Sequence, residues 1–150
     1  MGKKATRTRP EPDREPRAQF AALPWRFAEG GGVEVLLITS RETRRWVIPK
    51  GWPIKGLKPA MTAAREAFEE AGVKGEIGKQ PLGAFRYDKR LRSGRLQHVR
   101  VRVYLLLVTV EAETWPEKGQ RDKLWTSAEA AAPMVDEPDL QRLIAAFAGR

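Results

Sequence analysis

Residues 51–73 read GWPIKGLKPAMTAAREAFEEAGV, and the final segment, Arg65-Glu66-Ala67-Phe68-Glu69-Glu70-Ala71-Gly72-Val73, decides how the chain is read. Pro59 suits a first helical position and Gly72 a residue just past a helix end, so the stretch predicts a helix beginning near Pro59. At about 100° per residue, Glu66, Glu69 and Glu70 fall within an arc of roughly 100°. Met61, Ala64, Phe68 and Ala71 recur at 3-4-3 spacing on a different arc, which is expected to face a core. One helix then offers an apolar side and a carboxylate side.

Carboxylates this close repel, each i,i+4 pair costing about 0.2–0.5 kcal/mol. Arg65 can offset part of that by pairing with Glu69, but one cation does not balance three anions. A divalent ion does, and oxygen ligands suit Mg²⁺ or Mn²⁺, which bridge protein carboxylates to substrate phosphates. The alternative is a solvated acidic helix face.

Spacing to Gly51 adds the missing context. The stretch closely resembles the Nudix box: a glycine, five residues, a glutamate, seven residues, then R-E-U-x-E-E-x-G-U with U aliphatic. Gly51, Arg65, Glu66, Glu69, Glu70, Gly72 and Val73 match at the required spacing, and Ala67 is a small substitute at an aliphatic position. One element departs: Leu57 stands where the box has its first glutamate, and Gly56 and Lys58 beside it offer no acid. Outside the box, Trp46-Val47-Ile48-Pro49-Lys50-Gly51-Trp52-Pro53 and Trp115-Pro116-Glu117-Lys118-Gly119-Gln120-Arg121, followed by Trp125, resemble the branch of diphosphoinositol polyphosphate phosphohydrolases and diadenosine polyphosphate hydrolases.

The resemblance implies an α+β fold, a Nudix-type α/β/α sandwich with a mixed sheet. It implies Glu66, Glu69 and Glu70 as metal ligands, with the Gly51 carbonyl as a further ligand. It also implies catalytic roles for those glutamates and for Arg65, which would orient the carboxylates through salt bridges. The base is a box glutamate or a later acid, with Glu66 the first choice.

Composition narrows the rest. A chain of 150 residues fits one domain with a full core, and the absence of cysteine excludes disulfides and thiolate chemistry. With His98 as the single histidine, a Ser-His-Asp triad or histidine-held zinc is a poor fit, and His98 reads as a structural or surface side chain. No apolar run approaches the roughly 20 residues of a membrane-spanning helix, and no apolar signal-peptide core follows the basic start. Together these read as a cytoplasmic protein with no membrane partner.

The net charge is +9, of which residues 1–17 carry +3 (Lys3, Lys4, Arg7, Arg9, Arg14 and Arg17 against Glu11, Asp13 and Glu15) and the remainder +6. With Pro10, Pro12 and Pro16, residues 1–17 read as a disordered basic tail and 18–150 as the domain. The excess suits an enzyme for a polyphosphorylated small molecule; no helix-turn-helix, zinc-finger or RNA-binding aromatic motif favours nucleic acid.

Along the chain, Gln19 to Ala28, Val33 to Thr39 and Trp46 to Ile48 read as strands, with a Gly-rich turn between the first two. Glu76 to Asp88 and Leu96 to Val110 read as two more, around a basic loop from Lys89 to Arg95, with Val99, Val101, Val103, Leu105 and Leu107 on one face. Trp125 closes a last short strand, Ser127 caps a short helix, and Pro138 to Ala148 forms a helix with Leu140, Leu143, Ile144 and Phe147 as its core stripe.

For the substrate, the candidate cations are Lys50, Arg26, Arg41, Lys89 and Arg90, whose value is collective on a chain of phosphates. Trp52 and Trp25 are candidates for stacking, Trp46 and Trp125 for the core. Gln120-Arg121 edges the pocket by resemblance alone. The expected activity is metal-dependent hydrolysis of a phosphoanhydride in a nucleoside- or inositol-diphosphate-linked substrate, a diadenosine polyphosphate or diphosphoinositol polyphosphate first. The alternatives are another nucleotide pyrophosphohydrolase, or a non-catalytic module that binds a phosphate ligand or associates with nucleic acid.

Overall fold

Alternation along a strand sends successive side chains to opposite faces, so a sheet that is apolar on both needs a cover on each. In a computed structural model that describes residues 16–149, eight strands form such a sheet and helices lie on both sides. The strands are β1 (Arg17–Phe27), β2 (Val33–Thr39), β3 (Trp46–Val47), β4 (Lys50–Gly51), β5 (Val73–Ile77), β6 (Gly83–Arg90), β7 (Leu96–Glu111) and β8 (Lys123–Ser127). The helices are α1 (Pro59–Ala71), α2 (Ala128–Ala131) and α3 (Pro138–Ala148). The expected disorder of the tail falls on residues 1–15, outside the described residues; Arg17, the last residue assigned to that tail, opens β1.

The sheet runs β3-β2-β1-β7-β5, with β4 also on β1, β6 on β7 and β8 on β2. The β1–β7 pair is parallel, from Arg17 opposite Val99 to Trp25 opposite Leu107, and the other pairs are antiparallel, so the sheet is mixed as expected. On one face Ala21, Leu23, Val35, Leu37, Phe85, Val99, Val101 and Val103 pack against Leu140, Ile144 and Phe147 of α3. On the other, Phe20, Ala22, Leu36, Ile38, Tyr104 and Leu106 pack against Ala63, Ala67 and Ala71 of α1.

That second interface corrects the expected core face of α1. Of Met61, Ala64, Phe68 and Ala71, the structure buries only Ala71; Met61 is exposed and Phe68 is half-buried beneath the Lys74 amine, 4.7 Å from its ring. The alanine stripe faces the sheet instead, because short side chains let the helix approach closely enough for Glu66 to reach the Gly51 backbone. A Cβ on Gly51 would lie 2.4 Å from the Glu66 carboxyl carbon.

Two further corrections follow from pairing. The expected strand Glu76 to Asp88 is two strands, because the chain leaves β7 after Gly78, whose N–H bonds Leu105, and rejoins it at Leu82, whose N–H bonds Val103. Trp46 and Trp125 are half-buried at the margins of the two core clusters instead of inside them.

Gly72 ends α1 in the left-handed region (φ 73°), its N–H bonding Phe68 O, while the Trp115 ring lies 2.4 Å from where a Cβ would be. Gly72→Ala therefore meets both a left-handed penalty of about 1–2 kcal/mol and a clash with Trp115. The expected result is a fall in unfolding free energy larger than that penalty alone, read by denaturant melts. An unchanged midpoint would contradict the close packing of Trp115 on the helix end.

Candidate active site

Three separate segments meet around Glu66 and Glu70. The α1 helix brings the two carboxyl groups on successive turns, β4 pairs with β1 (Phe20 opposite Gly51) to set the Gly51 backbone against Glu66, and the 115–122 loop closes the third side. That loop is tied to α1 through Glu117 N–H to Glu69 O (3.0 Å) and to β2 through Asp122 N–H to Thr39 Oγ1 (2.9 Å). The result is a cleft of ≈470 Å³ lined by both glutamates, Lys50, Arg41, Glu117 and Arg121, among others.

The electrostatics are dominated by burial. Glu70 is buried, and desolvation first, then the hydrogen bond with Glu66, raises its pKa from 4.5 to about 8, against the opposing pull of Arg121. Burial raises Glu66 as well, while its hydrogen bond with Glu70 acts the other way. Burial thus favours one proton shared by the Glu66–Glu70 pair over two bare carboxylates.

Arg121, largely shielded from solvent, is the counter-charge. Its Nε donates to Glu117 Oε1 (3.0 Å), Nη1 donates to Thr39 O (3.1 Å), and Nη2 pairs with Glu117 Oε1 at 3.0 Å and lies 3.7 Å from Glu70 Oε1. Lys50 is half-buried with its amine 4.9 Å from the Tyr87 ring; burial lowers its pKa, opposed by Glu70 and Glu137. The Tyr87 hydroxyl donates to Gln19 Oε1 (2.7 Å), and burial pushes its pKa upward.

With this geometry in hand, known proteins supply the family. The NUDIX domain model matches residues 16–147. The chain belongs to the Nudix family. It is 30% identical over 142 residues to Nudix hydrolase 21, chloroplastic, of Arabidopsis thaliana, covering 89% of this chain and 67% of that protein. It is 38% identical over 105 residues to diphosphoinositol polyphosphate phosphohydrolase 3-beta of Bos taurus, covering 68% and 60%. A C. elegans Ap4A hydrolase structure shares the fold at a TM-score of 0.64 and 20% identity, covering 89% of this chain and 96% of that one. The chain spans between 54% and 67% of the length of the curated relatives it matches.

The structure separates the residues read from the Nudix box. Glu66, Glu70 and Gly51 line the cleft; Glu69 does not, although its charge acts on Glu66. Arg65 is exposed and, among the described residues, makes no ion pair, so the expected salt bridge to Glu69 is absent and Arg121 takes the place of counter-charge. The reason is reach: Arg65 lies on the solvent side of α1, whereas Arg121 enters from a loop facing the carboxyl pair.

Among the cations, Lys50, Arg41 and Lys89 line the cleft, and Arg90 borders an adjoining ≈820 Å³ hollow while its guanidinium donates to Gly94 O (2.9 Å). Arg26 lines neither. It lies six residues along β1 from Phe20, bonded to Glu34 (2.8 Å) and stacked 4.1 Å from the Trp125 ring, so it is held as a structural cation. Of the two stacking candidates, Trp52 lines the cleft, beneath Arg17 at 4.6 Å, whereas Trp25 packs edge-on against Phe27 and Phe147.

Glu117 is the cleft acid that residue patterns missed. Its only sequence signal was its place in the Trp115–Arg121 word, and the structure sets it in the cleft wall, 3.0 Å from the Arg121 nitrogen that also faces Glu70.

Among the described residues, no three carboxylates already form a cage for an ion. The donor set still fits one: the buried Glu70 and half-buried Glu66 carboxyl groups, whose burial favours a shared proton, lie against a backbone with no Cβ to obstruct, where a divalent cation can replace that proton.

Since Glu70 titrates near 8 in the folded state and near 4.5 in the unfolded chain, the fold binds a proton between those values that the unfolded chain does not. Glu70's contribution to the stability of the metal-free protein is therefore fully present below about pH 4.5 and is lost as pH rises towards 8. Thermal melts in chelator should show that slope in the wild type and a shallower one in Glu70→Gln; equal slopes would contradict the shared proton.

Proposed function

We propose that this Nudix cleft hydrolyses a phosphoanhydride bond in a nucleoside- or inositol-diphosphate-linked substrate, with Mg²⁺ or Mn²⁺ held by Glu66 and Glu70. The observation that carries the reading is the Glu66–Glu70 carboxyl pair, with Glu66 against the Gly51 backbone, in a cleft that Arg41, Lys50, Lys89 and Arg121 also line. Glu69 and the Gly51 carbonyl complete the proposed ligand set. The bound ion supplies neutralisation of phosphate oxygens and a lower pKa for attacking water.

This chain's own residues do the rest. Lys50, Arg41 and Lys89 bind phosphate oxygens from the opposite wall, where arginine's fork and lysine's point charge both suit them. Arg41 exchanges its present hydrogen bond to Gln120 Oε1 (2.9 Å) for substrate. Arg90 meets phosphates that extend into the adjoining hollow. Arg121 holds Glu70 and Glu117 at fixed separation and keeps the acid-rich wall from repelling the substrate. Glu66 receives the proton of the attacking water, its carboxyl group lying in the cleft against the Gly51 backbone. Glu117 is a second acid within the same wall, which offsets the loss of a loop carboxylate at Leu57.

The substrate class draws on the likeness to the Bos taurus diphosphoinositol polyphosphate phosphohydrolase 3-beta and the C. elegans Ap4A hydrolase. The cysteine-free composition fits a cytoplasmic setting, and no helix of the described residues is long and apolar enough to cross a membrane. A non-catalytic phosphate sensor is the second reading, favoured by Leu57 alone; three clustered acids that repel an anionic ligand weigh against it.

A panel of diadenosine polyphosphates, inositol pyrophosphates, nucleoside triphosphates and nucleotide sugars tests the proposal. The expected outcome is turnover of at least one member only with Mg²⁺ or Mn²⁺, reduced on the order of 100-fold or more in Glu70→Gln. Turnover by none, or equal turnover by the variant, would contradict it.

A further inference from the structure

Among the described residues, Arg44 is the one residue other than glycine whose backbone is left-handed (φ 60°). It sits in the turn from β2 to β3, where its N–H bonds Ser40 O (2.9 Å) and the Ser40 N–H bonds Arg45 O (2.8 Å). Glycine takes that backbone freely, whereas the Cβ of an arginine is crowded there. The carboxylate that Arg44 pairs with, Asp122, is exposed, and an exposed ion pair contributes little stability. The turn by itself therefore gives no reason for an arginine at this position.

What the side chain does is reach across to the 115–122 loop. Its Nη1 donates to Gln120 O (3.3 Å) and its Nη2 to Asp122 Oδ2 (3.0 Å), so one fork holds that loop at two residues. Gln120 is fixed from its other side by its own N–H on Glu117 O (3.0 Å), and its Oε1 accepts from Arg41 Nη1 (2.9 Å). The contacts thus run in series from Arg44 through Gln120 to Arg41, and of these three only Arg41 lines the cleft. The last contact leaves Arg41 loosely balanced. Its acceptor is a neutral amide, and the carboxylate oxygen it faces, Glu117 Oε1 at 3.8 Å, is already taken by Arg121 Nε and Nη2 (each 3.0 Å). A phosphate oxygen binds a guanidinium more strongly than an amide does.

We propose that Arg44 is a positioning residue for substrate binding: acting through Gln120, it holds Arg41 at the cleft wall on a partner that an anionic substrate displaces. This role rests on the phosphate contact assigned above to Arg41. A guanidinium already held at the wall loses less side-chain freedom on binding than one that ranges through solvent. Arg44 and Gln120 line neither the cleft nor the hollow beside it, so their effect falls on the affinity for phosphate and not on the bond-breaking step. The left-handed backbone at Arg44 is then a local cost of aiming the fork at the facing loop, as strained residues near binding sites commonly are.

Calorimetric titration of the full chain with inorganic tripolyphosphate, in chelator, tests the proposal apart from turnover. Arg44→Gly keeps the left-handed backbone and removes only the fork; it should weaken tripolyphosphate binding by roughly three- to tenfold without lowering the unfolding midpoint. Gln120→Ala should weaken it similarly. Arg44→Lys, which keeps the charge without the fork, should fall between Arg44→Gly and the wild type. Because Arg44 acts through Arg41, the Arg41→Gln/Arg44→Gly pair should bind no more weakly than Arg41→Gln alone. No binding by the wild type, undiminished binding by Arg44→Gly, or losses that add in the pair would each overturn it. The expected binding pattern with no turnover of any polyphosphate by the metal-loaded protein would uphold the positioning role and remove the hydrolytic one.

Discussion

The close approach of α1 to β4 is the constraint on which the site depends. Glu66 can lie against the Gly51 backbone only because position 51 has no Cβ and because Ala63, Ala67 and Ala71 let the helix settle low on the sheet. Larger residues in that stripe would lift the helix and take both carboxyl groups out of the cleft. The burial that results makes two adjacent carboxylates costly, and a shared proton relieves it in the absence of metal. Packing and desolvation are therefore one problem with one solution.

Charge balance from outside the helix completes that solution. Arg121, bound to Glu117 and the Thr39 carbonyl and 3.7 Å from Glu70, brings a fixed cation to a buried acidic wall. Removing one partner of such a set leaves an uncompensated charge, so these contacts favour the loop's present path. The Trp115 ring on Gly72 and the Glu117 N–H on Glu69 O anchor the same loop to the end of α1. Helix end, loop and carboxyl pair are thus tied by direct contacts.

Local signals were legible in the sequence and distant pairings were not. Pro59 and Gly72 marked the ends of α1, and Pro138 to Ala148 read directly as α3, because caps and helical period act over a few residues. Period alone could not choose between two apolar stripes on α1, and side-chain size pointed to Phe68 when close approach required alanine. Arg65 looked like the natural partner of Glu69 at i,i+4, yet Arg121, more than fifty residues away, faces the acids. Arg26 shows the same limit: its charge was visible, but only the register of β1 reveals that it sits by Glu34, far along the strand from Gly51. Glu117 needed the loop's tertiary path, and the Arg44–Gln120 contact needed the facing of two loops.

The central claim is that a proton shared by Glu66 and Glu70 occupies the place a divalent cation takes. Calorimetric titration of Mn²⁺ near pH 7, repeated in buffers of different ionisation enthalpy, measures that exchange directly. The account predicts release of about one proton per site, seen as a heat that changes with the buffer, and its loss in Glu70→Gln. Tight Mn²⁺ binding with the same heat in every buffer would contradict it.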